Sequence, residues 1–223
     1  MKRLVYSLIL VICIGTAACN AEPENIDLGQ YDITLSIQPG EHWQSTMKLF
    51  LFSIKKAPQL AVWIEDDNEN FISTIFITGR SANNDWVSAP SEGRPESLPV
   101  WNNKKKTASS PDNIDAVSSA SPLGSVAVGI GNNLLINGND YNVYLEINHS
   151  YDYNNFWTER NSGVNGQPSL IYHAQFTYGV HGTLQLVLIG HGSVDGSSGN
   201  IFLGQDHITT ALSIMKNATL RVR

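Results

Sequence analysis

Cys19 has the best-defined chemistry of any residue in this sequence. It follows small residues at 16–18, a short apolar run at 4–14, and a basic start at Lys2 and Arg3. This order is typical of an export signal, and the run is shorter than the about 20 residues of a membrane-spanning helix. The pattern resembles a bacterial lipobox, in which a diacylglyceryl group joins the cysteine sulfur. We therefore predict a mature chain that begins at Cys19 and is held on a membrane by two or more acyl chains.

The net charge and the cysteine content limit which partners and which chemistry the mature chain can have. Without residues 1–18 the chain keeps 12 Lys and Arg against 20 Asp and Glu, a formal charge of −8. An acidic chain without a basic stripe argues against nucleic acid as a partner. Cys13 leaves with the signal and Cys19 carries lipid, so no thiol remains for disulfides, zinc or catalysis. Asn20 after the cysteine favours the periplasmic face of the outer membrane over the inner membrane.

A candidate metal-binding group is formed by His191, Asp195 and Asp206. These residues lie in and just after the Gly-rich stretch GHGSVDGSSGN, residues 190–200. Imidazole and carboxylate ligands together suit hard or borderline ions. The stretch has neither an H-x-H nor an H-E-x-x-H spacing, and a histidine beside glycine is also a common turn residue. Metal binding is therefore an alternative interpretation.

Ser121 is the candidate for covalent attachment of a cofactor. It ends the stretch DAVSSAS, residues 115–121, which is similar to the sequence on which exported flavin proteins receive FMN through a phosphoester to a final threonine. The Ser121 hydroxyl on a loop of small residues could form the same ester. The usual threonine is absent, and the rest of a flavin-binding domain is not recognisable. A covalent FMN carrier is thus a second alternative, set against a simple Ser/Ala-rich connector.

Trp86, Arg94, Trp101 and Trp157 form the candidate ligand surface. The first three lie in residues 81–123, a stretch with little regular pattern that holds five of the nine prolines. Loops of this length inside a domain are usually functional or disordered, and the tryptophans favour packing over the domain. Exposed indole rings could stack on sugars or flavins. An enzyme acting on glycans is kept as a further alternative, although the serine elbow G-x-S-x-G is absent.

The acidic stretch at 65–70 separates two apolar runs. Asp66, Asn68 and Asn70 have the alternate spacing of a calcium loop. However, such a loop needs glycine at its sixth position, which is Phe71, and a glutamate at its twelfth, which is an isoleucine. Asn and Asp are favoured in tight turns. We therefore predict the tip of a hairpin, with Trp63 in the core of the preceding strand.

The elements that hold these residues are mostly strands. Runs rich in β-branched and aromatic residues alternate with turn residues along the chain. They predict an all-β fold, an antiparallel β-sandwich of immunoglobulin-like kind with one long irregular loop. A short C-terminal helix is predicted over Asp206–Ala218, with a strand as its alternative. The predicted organisation is a lipoprotein signal peptide at 1–18, a tether at 19–30 and a β-sandwich domain at 31–223.

Several motifs resemble a family of bacterial predicted periplasmic proteins, domain of unknown function 2271. The motifs are AVWIEDDNENFISTIFITGR, GRPESLPVW, IDAVSSASP and YNVYLEIN, and the resemblance covers about Leu49 to Gly179. The chain departs from the family at Ser118, Ser119 and Ser121, where Thr, Gly and Thr are more usual. The resemblance implies an exported β-sandwich and an association with flavin-transferring and membrane redox proteins.

Together these features predict a lipid-anchored, extracytoplasmic binding or accessory protein rather than an enzyme. Its expected partners are the membrane, through the lipid, and an envelope redox protein or flavin-related system. The metal-binding and FMN-carrying alternatives stay open at this point.

Overall fold

Two antiparallel sheets packed face to face form a β-sandwich. The computed structural model describes residues 28–49, 52–83, 93–108, 117–118 and 124–223. In chain order the described strands are β1 (Ile33–Pro39), β2 (Ser45–Leu49), β3 (Phe52–Lys56), β4 (Gln59–Asp66), β5 (Phe71–Thr78), β6 (Val117–Ser118), β7 (Val126–Ile130), β8 (Asp140–Asn148), β9 (Leu170–Thr177), β10 (Gly182–Gln185), β11 (Val187–His191) and β12 (Met215–Val222). The described helices are α1 (Gly79–Asn83), α2 (Pro99–Thr107) and α3 (Glu159–Ser162).

The strands separate into a smaller and a larger sheet. The smaller sheet has the order β10-β12-β1-β7. The larger has the order β11-β9-β8-β4-β5-β6, in which the two-residue strand β6 runs parallel to β5 and the other pairs are antiparallel. Strands β2 and β3 form a separate hairpin. The predicted antiparallel β-sandwich is therefore confirmed.

The main core lies between the two sheets. In β1, Ile33, Leu35 and Ile37 are fully buried and alternate with polar residues. They belong to one hydrophobic cluster with Val62 of β4 and Leu145 of β8. Because successive side chains of a strand point to opposite faces, this alternation fixes which face of each sheet is buried.

A second core covers the outer face of the larger sheet. There Trp63 and Ile171 pack with Leu98, Val100 and Trp101 from the start of α2. The stretch 81–123, predicted to be irregular, thus contains a nine-residue helix in its described part. Trp63 is fully buried, as predicted. In the described part of the chain we find no helix with the length and apolar character needed to cross a membrane.

The acidic stretch is a hairpin tip, as predicted. Asp66 Oδ1 accepts the backbone N–H groups of Asn68 at 2.9 Å and of Asn70 at 2.8 Å. Glu69 has the left-handed φ of 62° that a tight turn requires. The oxygen atoms of this stretch therefore serve the turn itself.

The predicted C-terminal helix over Asp206–Ala218 is wrong. The structure has a single 3-10 turn at Thr210–Ser213, and β12 begins at Met215. Ala218 pairs with Ile37 of β1, and residues 218, 220 and 222 are buried on one face. β12 lies between β10 and β1, and its residues are buried with a period of two. This period is that of a strand, so the segment forms a strand and not a helix.

Candidate functional site

Three of the predicted site residues lie outside the described residues. These are the lipidation site Cys19, the ring of Trp86 and the candidate FMN site Ser121. Their predicted roles stay predictions.

The predicted metal ligands are not brought together. His191 ends β11 and its ring stacks on Phe202, with centroids 5.7 Å apart. Asp195 is exposed and accepts the backbone N–H of Ser197 at 3.0 Å, while Asp206 lies in an exposed turn. Within the described ranges, no group of three or more His, Cys, Asp or Glu side chains could hold a metal ion.

Trp101 is a core residue, so its predicted place on the ligand surface is wrong. Its side chain is 4% exposed. The indole N–H donates to Thr74 Oγ1 at 2.9 Å, and Lys105 Nζ lies 4.9 Å from the ring centroid. The ring belongs to the same buried cluster as Trp63 and Ile171 of the larger sheet. Trp101 therefore fixes the helix to the sheet.

Buried acids and aromatic side chains support the same helix. Glu65 is fully buried, accepts the Trp63 indole N–H at 2.7 Å and pairs with Lys104 at 2.8 Å. Tyr144 stacks on Trp63 at 5.2 Å, and burial together with Glu65 and Glu69 raises the pKa of Tyr144 to about 12. A phenol with this pKa stays protonated at neutral pH. These contacts hold α2 against the larger sheet.

Exposed aromatic side chains gather at one end of the sandwich. They come from the segment between β8 and β9 and from a turn before β12. Together with the half-buried Trp157 we call them the aromatic end: Tyr151, Tyr153, Phe156, Trp157 and His207. Tyr151 is 49% exposed, Tyr153 37% and Phe156 45%. Flat ring faces open to solvent can stack on the apolar face of a ligand, with a gain beyond that of simple burial.

The rings of the aromatic end support one another. His207 stacks on Phe156 with centroids 3.9 Å apart and an interplanar angle of 5°. Trp157 meets Phe156 edge-on at 4.9 Å, and its buried indole N–H has no hydrogen-bond partner among the described residues. Trp157 is thus partly buried beneath the other rings. Its predicted role at a ligand surface stays a prediction.

The backbone holds two of these rings in an unusual conformation. Tyr151 has φ 64° and His207 has φ 62°. Left-handed backbone is uncommon for residues other than glycine. It is a clearer outlier for a bulky residue such as Tyr151 than for a histidine, which adopts it more often. Such conformations cost about 1–3 kcal/mol each and cluster at functional sites. The fold therefore keeps exposed rings at two positions where glycine would be easier.

Arg94 anchors the segment that carries the tyrosines. Its guanidinium donates to Ser150 Oγ at 2.7 Å and to Asn165 Oδ1 at 2.9 Å, and it pairs with Glu96 at 2.8 Å. The Arg94 side chain is 8% exposed. The predicted ligand residue Arg94 is therefore a clamp beneath the aromatic end.

A close backbone approach completes the clamp. Gly166 has φ 78°, and a Cβ atom there would lie 2.4 Å from the carbonyl carbon and oxygen of Asp152. The Gln167 N–H donates to the same carbonyl at 2.9 Å, and Thr210 donates to Asp152 Oδ1 at 2.5 Å. The two ends of the segment thus meet next to Tyr151.

The aromatic end and the predicted tether lie at opposite ends of the sandwich. β1 begins at Ile33, and the preceding Asp32 accepts the Tyr178 hydroxyl, just after β9, at 3.2 Å. The segment 149–169 instead precedes β9, and His149 Nε2 bonds to the Trp43 carbonyl, beyond the end of β1. An eight-residue strand such as β9 spans roughly 25 Å. The chain therefore enters the domain roughly that far from the aromatic end.

Comparison with known proteins gives no relative. No family model matches the chain, and neither a curated protein nor a solved structure gives a significant match. The resemblance to the periplasmic family of unknown function stays a prediction.

Most of the aromatic end was missed by the sequence reasoning. Only Trp157 was named, among four candidates of which Trp101 proved buried. The signal that could have found the site is the density of rings in HSYDYNNFW, residues 149–157, directly after the strand YNVYLEIN. His207 lies fifty residues further on and carries no such signal.

Proposed function

We propose that this chain is a lipid-anchored binding protein of the bacterial cell envelope that presents the aromatic end to a ligand. The observation that carries the proposal is the placement of exposed rings at the end of the sandwich away from the predicted tether. A ligand can reach such a surface while Cys19 holds the chain on a membrane. Binding rather than catalysis is supported because stacking rings recognise flat apolar faces without needing a nucleophile.

The finer points belong to the same proposal. Location on the periplasmic face of the outer membrane follows from Asn20, and the link to an envelope redox or flavin-related partner follows from the family resemblance. An immunoglobulin-like sandwich is supported by the connections from β7 to β8 and from β9 to β10, which cross between sheets as in Greek-key folds.

Binding of the full-length chain, extracted in detergent, to an array of envelope glycans and soluble ligands tests the function. The wild type is compared with a triple variant, Tyr151→Gly, Phe156→Ala and His207→Gly. We expect retained ligands to be lost from the triple variant. A protein that binds nothing on the array, or a variant that binds as well as the wild type, would falsify the proposal.

A further inference from the structure

A lysine lies directly against an exposed ring of the aromatic end. Lys56, the last residue of β3, places its Nζ atom 4.3 Å from the centroid of the Tyr151 ring. This is within the range of a cation–π interaction. The contact leaves a positive charge beside a ring that is 49% exposed. The aromatic end therefore has a positive charge, that of Lys56, directly beside a ring that can stack on a ligand.

Two further cations, Arg80 and Arg94, lie near enough to Lys56 to influence it, in a chain whose net charge is −6. The pKa of Lys56 is lowered, first by burial and then by the positive charges of Arg80 and Arg94. Arg80 is exposed in α1, which follows β5 at this end of the sheet. Among the described residues neither Lys56 nor Arg80 forms an ion pair with a carboxylate. An anion placed here would relieve the repulsion among these cations.

Carboxylates also lie at this end of the sandwich. Glu96 pairs with Arg94 at 2.8 Å, and Asp152 accepts the Thr210 hydroxyl at 2.5 Å. Glu159 lies nearer to Tyr153, where, after burial, its charge helps to raise the pKa of that phenol. The positive side chain in contact with the Tyr151 ring is that of Lys56.

We propose that the aromatic end binds an anionic glycan, with Tyr151 and Phe156 stacking on sugar rings and with Lys56 and Arg80 pairing with carboxylate or phosphate groups of the chain. This inference rests on the proposed function and specifies its ligand class. Sugars offer a flat C–H face to a ring, and the anionic substituents of an acidic glycan repeat along the polymer. The exposed rings match the C–H faces of the sugars, and the neighbouring cations match the anionic substituents.

Two other anionic partners fit this end less well. An extended peptide is usually bound by adding a strand to a sheet edge, whereas the aromatic end is made of loops beyond the strand ends. A membrane surface is disfavoured because the predicted lipid anchor enters at the opposite end of the sandwich. The geometry therefore favours a polymer that approaches from the side away from the anchoring membrane.

The test compares acidic polymers with a neutral one of the same backbone. Polygalacturonate and a phosphomannan supply carboxylate and phosphate groups, and fully methyl-esterified polygalacturonate removes the charge. We measure binding to the full-length chain in detergent by titration calorimetry at two salt concentrations. Lys56→Met and Tyr151→Gly should each weaken binding of at least one acidic polymer about tenfold, the effect expected for losing one charge-assisted contact or one stacked ring. Arg221→Gln, which removes an exposed charge near the tether end, should not.

Each outcome decides the inference. Equal binding of the neutral and acidic polymers, with loss in Tyr151→Gly, would overturn the anionic class and leave the proposed function standing. Stronger binding to phosphatidylglycerol vesicles or to polyglutamate than to either acidic glycan would overturn the glycan assignment. Binding of neither glycan, or equal losses in Lys56→Met and Arg221→Gln, would also overturn it. Melting curves of Lys56→Met and Tyr151→Gly, compared with the wild type, distinguish a loss of binding from a loss of folding.

Discussion

The carboxylate of Glu146 lies against the first turn of α2, where Oε2 accepts the backbone N–H of Trp101 at 2.8 Å. Oε1 accepts the Ser169 hydroxyl at 2.6 Å and the Val100 N–H at 3.3 Å. The first N–H groups of a helix have no partner within the helix. A residue of β8, 45 positions away in sequence from Trp101, therefore takes the place of the local cap.

Glu146 should make stability depend on pH. Burial raises the pKa of Glu146 from 4.5 to about 7, against the hydrogen bonds from Ser169, Trp101 and Val100, which lower it. A raised pKa in the folded state gives stability that is present below the unfolded value and lost as pH rises through the folded value. The advantage of the wild type over Glu146→Gln should therefore shrink between pH 4.5 and about 7, by about 3 kcal/mol at most. Urea unfolding at several pH values measures this difference. A pH-independent difference would contradict it, and the exposed Glu159→Gln serves as the control.

His149 should act in the opposite direction. Its Nε2–H is shared between the carbonyls of His42 and Trp43, both at 3.0 Å, and its buried Nδ1 has no partner among the described residues. Burial lowers the pKa of His149 below 6.5. Stability is then present above pH 6.5 and is lost as pH falls towards the folded value, because the unfolded chain binds the proton more readily. Thermal unfolding between pH 7.5 and 5 should show a smaller loss in His149→Gln than in the wild type. The exposed His181→Gln should follow the wild type, and identical losses in all three proteins would exclude this role.

Lys104→Met should destabilise the protein by about 3 kcal/mol, because it leaves the carboxylate of Glu65 buried without its ion partner. Glu65 is fully buried, and the Lys104 side chain is 29% exposed. Chemical denaturation measures the change. Lys106→Met, at an exposed position two residues further along α2, should change stability by less than about 0.5 kcal/mol. Equal effects of the two substitutions would show that Lys104 does not neutralise Glu65.

Gly166→Ala should destabilise the protein by more than about 2 kcal/mol, since both its φ of 78° and the Asp152 backbone 2.4 Å from the new Cβ oppose a side chain. Gly138 is the matched control. It has φ 89°, and nothing lies within 4 Å of a Cβ there, so Gly138→Ala should lose only the strain of the positive φ, about 1 kcal/mol. The comparison uses melting temperatures and denaturant midpoints. A loss as large at Gly138 as at Gly166 would mean that the close approach to Asp152 is unimportant.

The strands could be predicted because alternating apolar residues and turn residues can be recognised in short stretches of sequence. Ile33, Leu35 and Ile37 alternate with polar residues, and Asp66 and Asn70 are turn residues in both sequence and structure. α2 could not be predicted in this way. Its N-cap position is Leu98, without a side-chain cap, and the carboxylate that serves instead comes from Glu146 of a distant strand.

The candidate site was harder to predict than the fold because exposure is a property of packing. Trp101 and Trp157 each follow an apolar residue and precede a polar one in sequence. Trp101 is nevertheless enclosed between helix and sheet, whereas Trp157 packs edge-on against the exposed Phe156. The left-handed backbone of Tyr151 and His207 is likewise set by tertiary contacts. The sequence shows the high density of rings along 149–157, but it does not show which of those rings face solvent.

The central place of β1 has a mechanical consequence for a protein tied to a surface. β1 is hydrogen-bonded on both sides, to β12 and to β7. If the tether pulls on Ile33 while a bound polymer pulls on the segment between β8 and β9, the force runs along the strands and across the core. Hydrogen bonds loaded lengthwise share the force and must break together, whereas bonds loaded from one end open one at a time. Under such a load we expect β1 to resist being pulled out of the smaller sheet.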